Sequence, residues 1–253
     1  MKKSDYLSSS VMLYSVAFVM LGGLFVMAQT GTRTLWGEPE ALGNGAARAF
    51  VVMNDQGKPV SIGISFTKNA LSGLPTEAEP PEVMLALPEK ADVHQFKYIV
   101  INWNPQGHEP KMYQLPHFDF HFYLMPNEER DKITENDAVQ FAKTPPSQYL
   151  PADYMQAPGG IPRMGAHCVD KTAPELQGKP FRQTFIYGTY DGKITFYEPM
   201  ASMAFLKTMP NFSAPIKQPP AFEKSGFYPS SYRIIYDKKQ GEYRVSLDGL
   251  TLR

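Results

Sequence analysis

The segment Pro116–Tyr123 alternates aromatic and polar residues along its length. Three phenylalanines occupy every second position, and the positions between them carry His117, Asp119 and His121. This period of two residues predicts a β-strand with one apolar face and one polar face. An ordinary solvent-facing strand carries Thr, Lys, Glu or Ser on its outer face, whereas this one carries residue types that bind divalent metals or transfer protons. We therefore expect the functional site on this strand.

The rest of the pattern predicts a mainly β protein, with antiparallel sheets in a β-sandwich or barrel-like arrangement and two or three short helices. The expected strands are 47–53, 60–67, 83–87, 96–103, 181–190, 193–198, 232–236 and 243–247. The expected helices are 134–142 and 200–209, where Thr134 can cap the first.

The dipeptide Asp191-Gly192 separates two β-rich runs and is a strong hairpin signal. A two-residue turn at this point predicts that Phe185 lies opposite Glu198 in the ladder.

The N-terminus has the anatomy of an export signal, because Lys2 and Lys3 precede an uncharged apolar run over 11–27. We expect cleavage after Ala28. The alternative is an uncleaved membrane anchor, since the run has the shortest length that spans a bilayer. The predicted organisation is a signal peptide over 1–28, a lead-in segment over 29–46 and one β-rich domain over 47–253. The predicted location is periplasmic or extracellular.

The formal net charge of the 253 residues is zero, and no run of Lys or Arg occurs. A nucleic-acid partner is therefore not expected. Cys168 is the only cysteine, so no internal disulfide can form. Its thiol is either a small buried group or a reactive one, and an extended backbone would point it away from the face of the adjacent His167.

A divalent metal, with zinc as the first choice, requires three or four nitrogen, oxygen or sulfur ligands. Residues two apart on a strand can share an ion, but the Cα atoms of His117 and His121 lie roughly 13 Å apart if the strand is regular. Either the strand bends or bulges at this point, or only one histidine binds the ion. The other would then hold a neighbouring loop or hydrogen-bond to a residue that binds the ion. Further ligands must then come from elsewhere in the chain.

We predict His117, His121 and His167 as metal ligands, with Asp119 and Glu198 as ligands or general base. His108 can swing toward the strand or decorate a turn, and His94 is expected at the surface. Two alternatives remain open, which are a metal-free polar or catalytic pocket and a cluster of structural histidines.

Several further blocks accompany the strand: Gly43–Arg48, Ile62–Ile64, Ala70–Pro75, Trp103–His108, Met164–His167 and Thr184–Gly188. Together they resemble a family of exported bacterial proteins of unknown function, typified by a Thermus protein under the control of an extracytoplasmic-stress sigma factor. The resemblance implies an envelope or secreted location, a β-rich fold and a ring-like homo-oligomer. It implies no reaction.

The leading functional hypothesis is an exported metal-binding protein with a hydrolytic or oxidative role. A second is a non-enzymatic envelope-stress or structural protein that forms a homo-oligomer. A third is a carrier that binds an unknown small molecule in an aromatic-lined cavity. Phosphate-binding loops, nucleophile elbows, H-E-x-x-H helices and dinucleotide fingerprints are absent from the sequence, which removes several large enzyme classes.

Overall fold

Sixteen β-strands and three short α-helices make up the part of the chain that the computed structural model describes, residues 31–93 and 95–253. The strands are β1 (Arg33–Trp36), β2 (Glu40–Leu42), β3 (Gly45–Met53), β4 (Pro59–Thr67), β5 (Val83–Ala86), β6 (Tyr98–Asn104), β7 (His117–Tyr123), β8 (Tyr154–Gln156), β9 (Ala166–Asp170), β10 (Gln183–Tyr190), β11 (Lys193–Ser202), β12 (Asn211–Pro215), β13 (Phe227–Tyr228), β14 (Ser231–Asp237), β15 (Glu242–Asp248) and β16 (Thr251–Leu252). The helices are α1 (Asn127–Arg130), α2 (Ala138–Ala142) and α3 (Met203–Leu206), and short 3₁₀ turns cover Lys68–Leu71, Lys111–Tyr113, Ser147–Tyr149 and Pro174–Gln177.

The strands pair antiparallel in two seven-stranded sheets, and β13 pairs separately with β16. Sheet A has the order β1-β3-β4-β15-β14-β12, with β2 also paired to β3. Sheet B has the order β5-β6-β7-β11-β10-β9-β8, which places β7 between β6 and β11. The prediction of a mainly β fold with antiparallel sheets and short helices is confirmed.

The phenylalanine face of β7 packs against sheet A. The ring centroid of Phe66 on β4 lies 6.4 Å from that of Phe118 and 6.0 Å from that of Phe120. All seven residues of β7 are buried, so its histidine face is also covered. The polar face predicted from the alternation therefore lies on the outer side of sheet B, beneath other parts of the chain.

A buried arginine anchors part of this cover. Arg130 of α1 is fully buried, and its guanidinium donates two hydrogen bonds to the Glu82 carboxylate, at 2.9 and 2.5 Å. Its Nε donates to the carbonyl of Arg163 at 2.7 Å, and the group lies over the ring of Tyr123. Burial acts to raise the pKa of Glu82, yet Arg130 and Arg163 hold it below its usual value. Arg130 therefore links α1 to the segment before β5 through its ion pair, and to the segment before β9 and the end of β7 through its other two contacts.

Both predicted helices are shorter than expected. The Asp137 carboxylate accepts a hydrogen bond from the Thr134 amide at 2.8 Å, so a turn precedes α2 and the helix covers only Ala138–Ala142. The helix expected over 200–209 begins later, as α3, because β11 continues to Ser202. The Ser202 hydroxyl accepts from the Phe205 amide at 3.1 Å and caps α3 at that point.

Three segments outside the expected strands also contain strands. The lead-in segment 29–46 contains β1 and β2, and both pair with β3. The long loop after α2 contains β8, and the proline-rich stretch after α3 contains β12. These are edge strands that form by pairing with a neighbouring strand. The hydrophobic pattern of a segment does not indicate such pairing. The predicted signal segment and His94 lie outside the described residues.

In the described part of the chain, no helix is long and apolar enough to cross a membrane.

Replacing Arg130 with Ala should destabilise the protein by about 1.5–3 kcal/mol, because it removes a fully buried guanidinium and the main hydrogen-bond partner of the part-buried Glu82 carboxylate. Denaturant unfolding at neutral pH measures this loss. Since the pKa of Glu82 is lowered in the folded state, the carboxylate contributes stability above its unfolded pKa and loses it as pH falls. The difference between variant and wild type should therefore shrink in acid.

Arg163→Ala is the matched control, because Arg163 also contacts Glu82, at 3.0 Å, but its side chain is 42% exposed. An exposed ion pair contributes about 1 kcal/mol or less. Equal losses in the two variants would contradict a dominant role for the buried arginine.

Candidate metal centre

The outer face of β7 brings polar side chains from neighbouring strands into register. Asn104 of β6 pairs with His117, and Asn102 pairs with Asp119. On the other side, Met200 of β11 pairs with Asp119. Each of these residues faces the same side of sheet B because paired residues in an antiparallel ladder share a face.

The first triad consists of His108, His117 and Asp119. The Nε2 atoms of the two histidines are 3.1 Å apart. The Asp119 carboxylate completes the triangle, with Oδ1 3.2 Å from Nε2 of His117 and Oδ2 3.4 Å from Nε2 of His108. His117 is fully buried, whereas the side chain of His108 is 39% exposed. The first triad is thus open to solvent on the His108 side.

A tight loop presents His108 to the strand. Gly107 has a φ of 70°, and an added Cβ would lie 2.1 Å from the carbonyl oxygen of Tyr113. The His108 amide donates to that same carbonyl at 3.3 Å. Only glycine allows this close approach of the loop to its own return segment. The loop carries His108 back onto the face that His117 occupies.

The contacts of Nδ1 in His108 and His117 determine whether Nε2 of each ring can act as a metal ligand. Nδ1 of His108 lies 2.7 Å from the carbonyl oxygen of Glu109, and Nδ1 of His117 lies 2.7 Å from that of Leu115. A carbonyl can only accept, so Nδ1 carries the proton in both rings and Nε2 of a neutral ring is a lone pair. Two lone pairs and a carboxylate therefore converge on one point. This arrangement is the one that metal-ligating histidines adopt.

The separations fit a metal ion. Ligand bonds of about 2.0–2.1 Å around a tetrahedral zinc place the donor atoms roughly 3.3 Å from one another. The three measured separations in the first triad run from 3.1 to 3.4 Å. Asn104 donates to Oδ2 of Asp119 at 2.7 Å and so orients the carboxylate. Burial acts to raise the pKa of Asp119, but the charge of His117 and the hydrogen bond with His108, when those rings are protonated, hold it below its usual value, so the group is an anion.

The second triad consists of His121, His167 and Glu198. Nε2 of His121 lies 3.5 Å from Oε1 of Glu198, and Nε2 of His167 lies 3.7 Å from Oε2. Among the described residues, both ring nitrogens of His121 and Oε2 of Glu198 are buried without a hydrogen-bond partner. All three donor atoms lie within 4.8 Å of one another. The second triad can therefore hold a cation after a small movement of its side chains.

A β-bulge places Glu198 in the second triad. The β10–β11 register shifts between Gly188 and Thr189, so Ile186 lies opposite Glu198. The expectation that Phe185 would occupy that position is wrong. It assumed continuous pairing from the turn, whereas β11 contains one extra, unpaired residue between the partners of Gly188 and Thr189. Phe185 instead packs toward sheet A, with its ring centroid 5.2 Å from that of Tyr232.

A glycine also helps His167 to join the second triad. Gly188 pairs with His167 of β9 on one side and with Phe196 of β11 on the other. A Cβ at Gly188 would lie 2.1 Å from the Phe196 ring. The Phe196 ring therefore occupies the space over Gly188, and its edge contacts the rings of both His121 and His167.

Burial disfavours charge at the second triad in the absence of an ion. It lowers the pKa of His121 to about 3 and that of His167 to about 4, and it raises the pKa of Glu198 well above its usual value. Both imidazoles are then neutral with a lone pair each, which is the form that binds metals.

The TTHB210-like family matches residues 54–103. Its description reads "Hypothetical protein TTHB210", so the resemblance predicted from the sequence is confirmed over that range. The matched range runs from the turn before β4 into β6 and ends before His108, so both triads lie outside it. Comparisons with curated proteins and with solved structures found no match.

The structure places the predicted site residues in two groups where the sequence predicted one. His117 and Asp119 belong to the first triad, whereas His121, His167 and Glu198 belong to the second. Strand geometry had indicated that the outer histidines of β7 would not share an ion, and they do not share a triad. His108 is the residue whose role the sequence left open. The signal for it was its position after Gly107, in the turn that leads into β7.

Cys168 lies on the opposite face from both triads. It is fully buried among the apolar residues between the sheets, and its neighbour His167 points to the other side of β9. Burial raises the pKa of the thiol to about 11. The thiol therefore belongs to the core, as the extended backbone of β9 predicts.

We expect the Cys168 thiol to resist a disulfide reagent such as dithiobis-nitrobenzoate at pH 8, because the thiolate is scarce below its pKa and the sulfur is inaccessible. The same protein unfolded in guanidinium should release one equivalent of the coloured product at once, which serves as its own control. Rapid stoichiometric labelling of the folded protein would contradict the buried position.

Proposed function

We propose that this protein is an exported metalloprotein that binds a divalent cation, with zinc as the first choice, through His108, His117 and Asp119. The observation that carries this proposal is the convergence of two Nε2 lone pairs and one carboxylate within 3.1–3.4 Å. Without a cation, two Nε2 lone pairs and a carboxylate face one another unless an imidazole takes up a second proton, because each Nδ1 proton is already donated to a backbone carbonyl. A cation at their centre removes that conflict.

The exposure of His108 supports a reactive centre. A zinc ion with three protein ligands keeps a fourth position for water or substrate and activates the group bound there. The part-exposed His108 ring borders the solvent, whereas Tyr113 and Phe181 pack around the buried His117 ring. We therefore propose hydrolysis as the reaction class. Asn104 holds the Asp119 carboxylate toward the ion, and Leu115 fixes the orientation of His117 through its carbonyl.

His108→Ala should remove one equivalent of bound metal, because it deletes a ligand from a half-exposed loop with little effect on the core. Loss of a residue that only orients a ligand costs about 10–100-fold in metal affinity, and we expect a larger loss here. Elemental analysis of untagged, full-length protein measures the metal content per chain.

Lys111→Ala is the matched control, since Lys111 is exposed on the same loop and belongs to neither triad. It should leave the metal content unchanged. The proposal fails if the wild type holds no divalent metal, or if His108→Ala retains the wild-type content.

A cavity favours a second candidate function, the binding of a small molecule. It has a volume of about 650 Å³, within the range of ligand sites, and its lining includes Tyr149, Tyr190, Tyr228, Lys132, Lys193 and Lys224. Neither triad contributes a residue to it. The lining holds four lysines, counting Lys97, against the three acids Glu129, Asp191 and Glu223, and this small positive excess together with the aromatic rings suits an aromatic anion. We propose such a ligand as the alternative to metal chemistry.

The anionic dye 1-anilinonaphthalene-8-sulfonate should bind at the cavity with enhanced fluorescence, and Ile194→Arg, which fills it from β11, should reduce the signal. Val139→Arg is the control, because Val139 is 69% exposed elsewhere on the surface. If both variants reduce the fluorescence equally, the dye binds to general surface apolar groups and the cavity carries no function.

The remaining hypothesis is a non-enzymatic envelope-stress protein that forms a homo-oligomer. It is supported by the family resemblance rather than by a feature of the described residues.

A further inference from the structure

We propose that His121, His167 and Glu198 form a second divalent-cation site, of a closed and strand-linking type, next to the first. This inference goes beyond the function proposed above, because it concerns other residues and does not require the first triad to be occupied.

The first argument is the burial of donors that nothing else satisfies. Glu198 is 2% exposed and His121 is 1% exposed. Among the described residues, Glu198 forms no ion pair with lysine or arginine, and its carboxyl group faces the two imidazoles. Separations of 3.5 and 3.7 Å are too long for hydrogen bonds. A buried polar group without a partner destabilises the native protein, so an ion that binds these atoms would be stabilising.

The second argument is the chemistry of the donors. Two imidazole nitrogens and one carboxylate are the ligand set of many zinc and iron sites. An ion at their centre would satisfy Nε2 of His121, Nε2 of His167 and the Glu198 carboxylate at the same time. A water molecule could bridge the same atoms with Glu198 protonated, whereas a cation would balance the charge of the Glu198 carboxylate in the buried site.

The third argument is the packing that orients the donors. The Phe196 ring meets the His121 ring edge to face at 4.8 Å and contacts the His167 ring at 5.5 Å. It fits there because Gly188 has no side chain. A single aromatic ring thus limits the rotation of both imidazoles, as expected of ligands held ready for an ion.

The two triads differ in access, and this difference predicts different roles. His167 is the most exposed member of the second triad, with 19% side-chain exposure, compared with 39% for His108 in the first. The ligands of the second triad come from β7, β9 and β11, so an ion there links three strands of sheet B. A buried ion that links strands contributes folding energy, whereas a site with solvent access suits catalysis.

The distance between the triads is set by β7. Asp119 and His121 are two residues apart on one strand, so their Cα atoms are about 7 Å apart. Two ions can therefore occupy the same sheet face without sharing a ligand, and each triad contributes one carboxylate to offset the charge.

Elemental analysis of four full-length proteins tests this inference: the wild type, His167→Ala, His108→Ala and the double variant. We expect two, one, one and no bound ions per chain, respectively. His167→Ala should in addition weaken binding of the ion at the second triad by more than about 100-fold in competition with a chelator. It should also abolish the drop in melting temperature that removal of this ion causes in the wild type.

Each triad can fail independently. One ion in the wild type that His167→Ala retains and His108→Ala loses would overturn this inference and leave the proposed function intact. One ion that His108→Ala retains and His167→Ala loses would support the inference and contradict the proposed function. Absence of any ion from the wild type would overturn both.

Glu198→Gln provides a second route if His167→Ala fails to fold. It keeps the size of the side chain and removes its charge, and it should also reduce the content from two ions to one. Retention of two ions in a folded Glu198→Gln protein would count against the second site.

Discussion

The period of two residues along β7 is the constraint on which the structure depends. Because successive side chains leave a strand on opposite faces, one strand delivers three phenylalanines to one side and two histidines with an aspartate to the other. The phenylalanines join the two sheets through contacts such as Phe66 with Phe120. A shift of one residue would exchange the two faces and bury the histidines between the sheets. The apolar core therefore holds the polar site in its place.

Burial of the polar face is the second main feature. An outward-facing strand would leave its imidazoles in water, but here every residue of β7 is buried beneath loops and α1. The fully buried Arg130 helps to hold that cover through its two hydrogen bonds to Glu82. Inside such a site electrostatic interactions are stronger, and an unsatisfied polar atom costs more than it would at the surface. The cover thus leaves buried polar atoms without partners, and a bound cation would satisfy them.

The two triads share one sheet face but use different kinds of ligand support. In the first triad, backbone carbonyls fix both Nδ1 protons, and Asn104 orients the Asp119 carboxylate. In the second triad, aromatic packing by Phe196 replaces those hydrogen bonds, and neither ring nitrogen of His121 has a partner among the described residues. The first triad has the tighter donor separations and the more exposed histidine. These contrasts are the basis for assigning reactivity to one triad and a strand-linking role to the other.

The sequence alone determined the character of β7, the β-rich class of the fold and the region of the site, because those features follow from a local period that needs no partner. It also identified five of the six triad residues, since their types are unusual on a strand. Only the tertiary structure decided how they are grouped. The Gly107 loop brings in His108, and the bulge at Gly188 replaces Phe185 with Ile186 opposite Glu198. Both depend on the backbone conformation of short connections, and a periodic pattern carries no record of an inserted residue or of a loop that folds back.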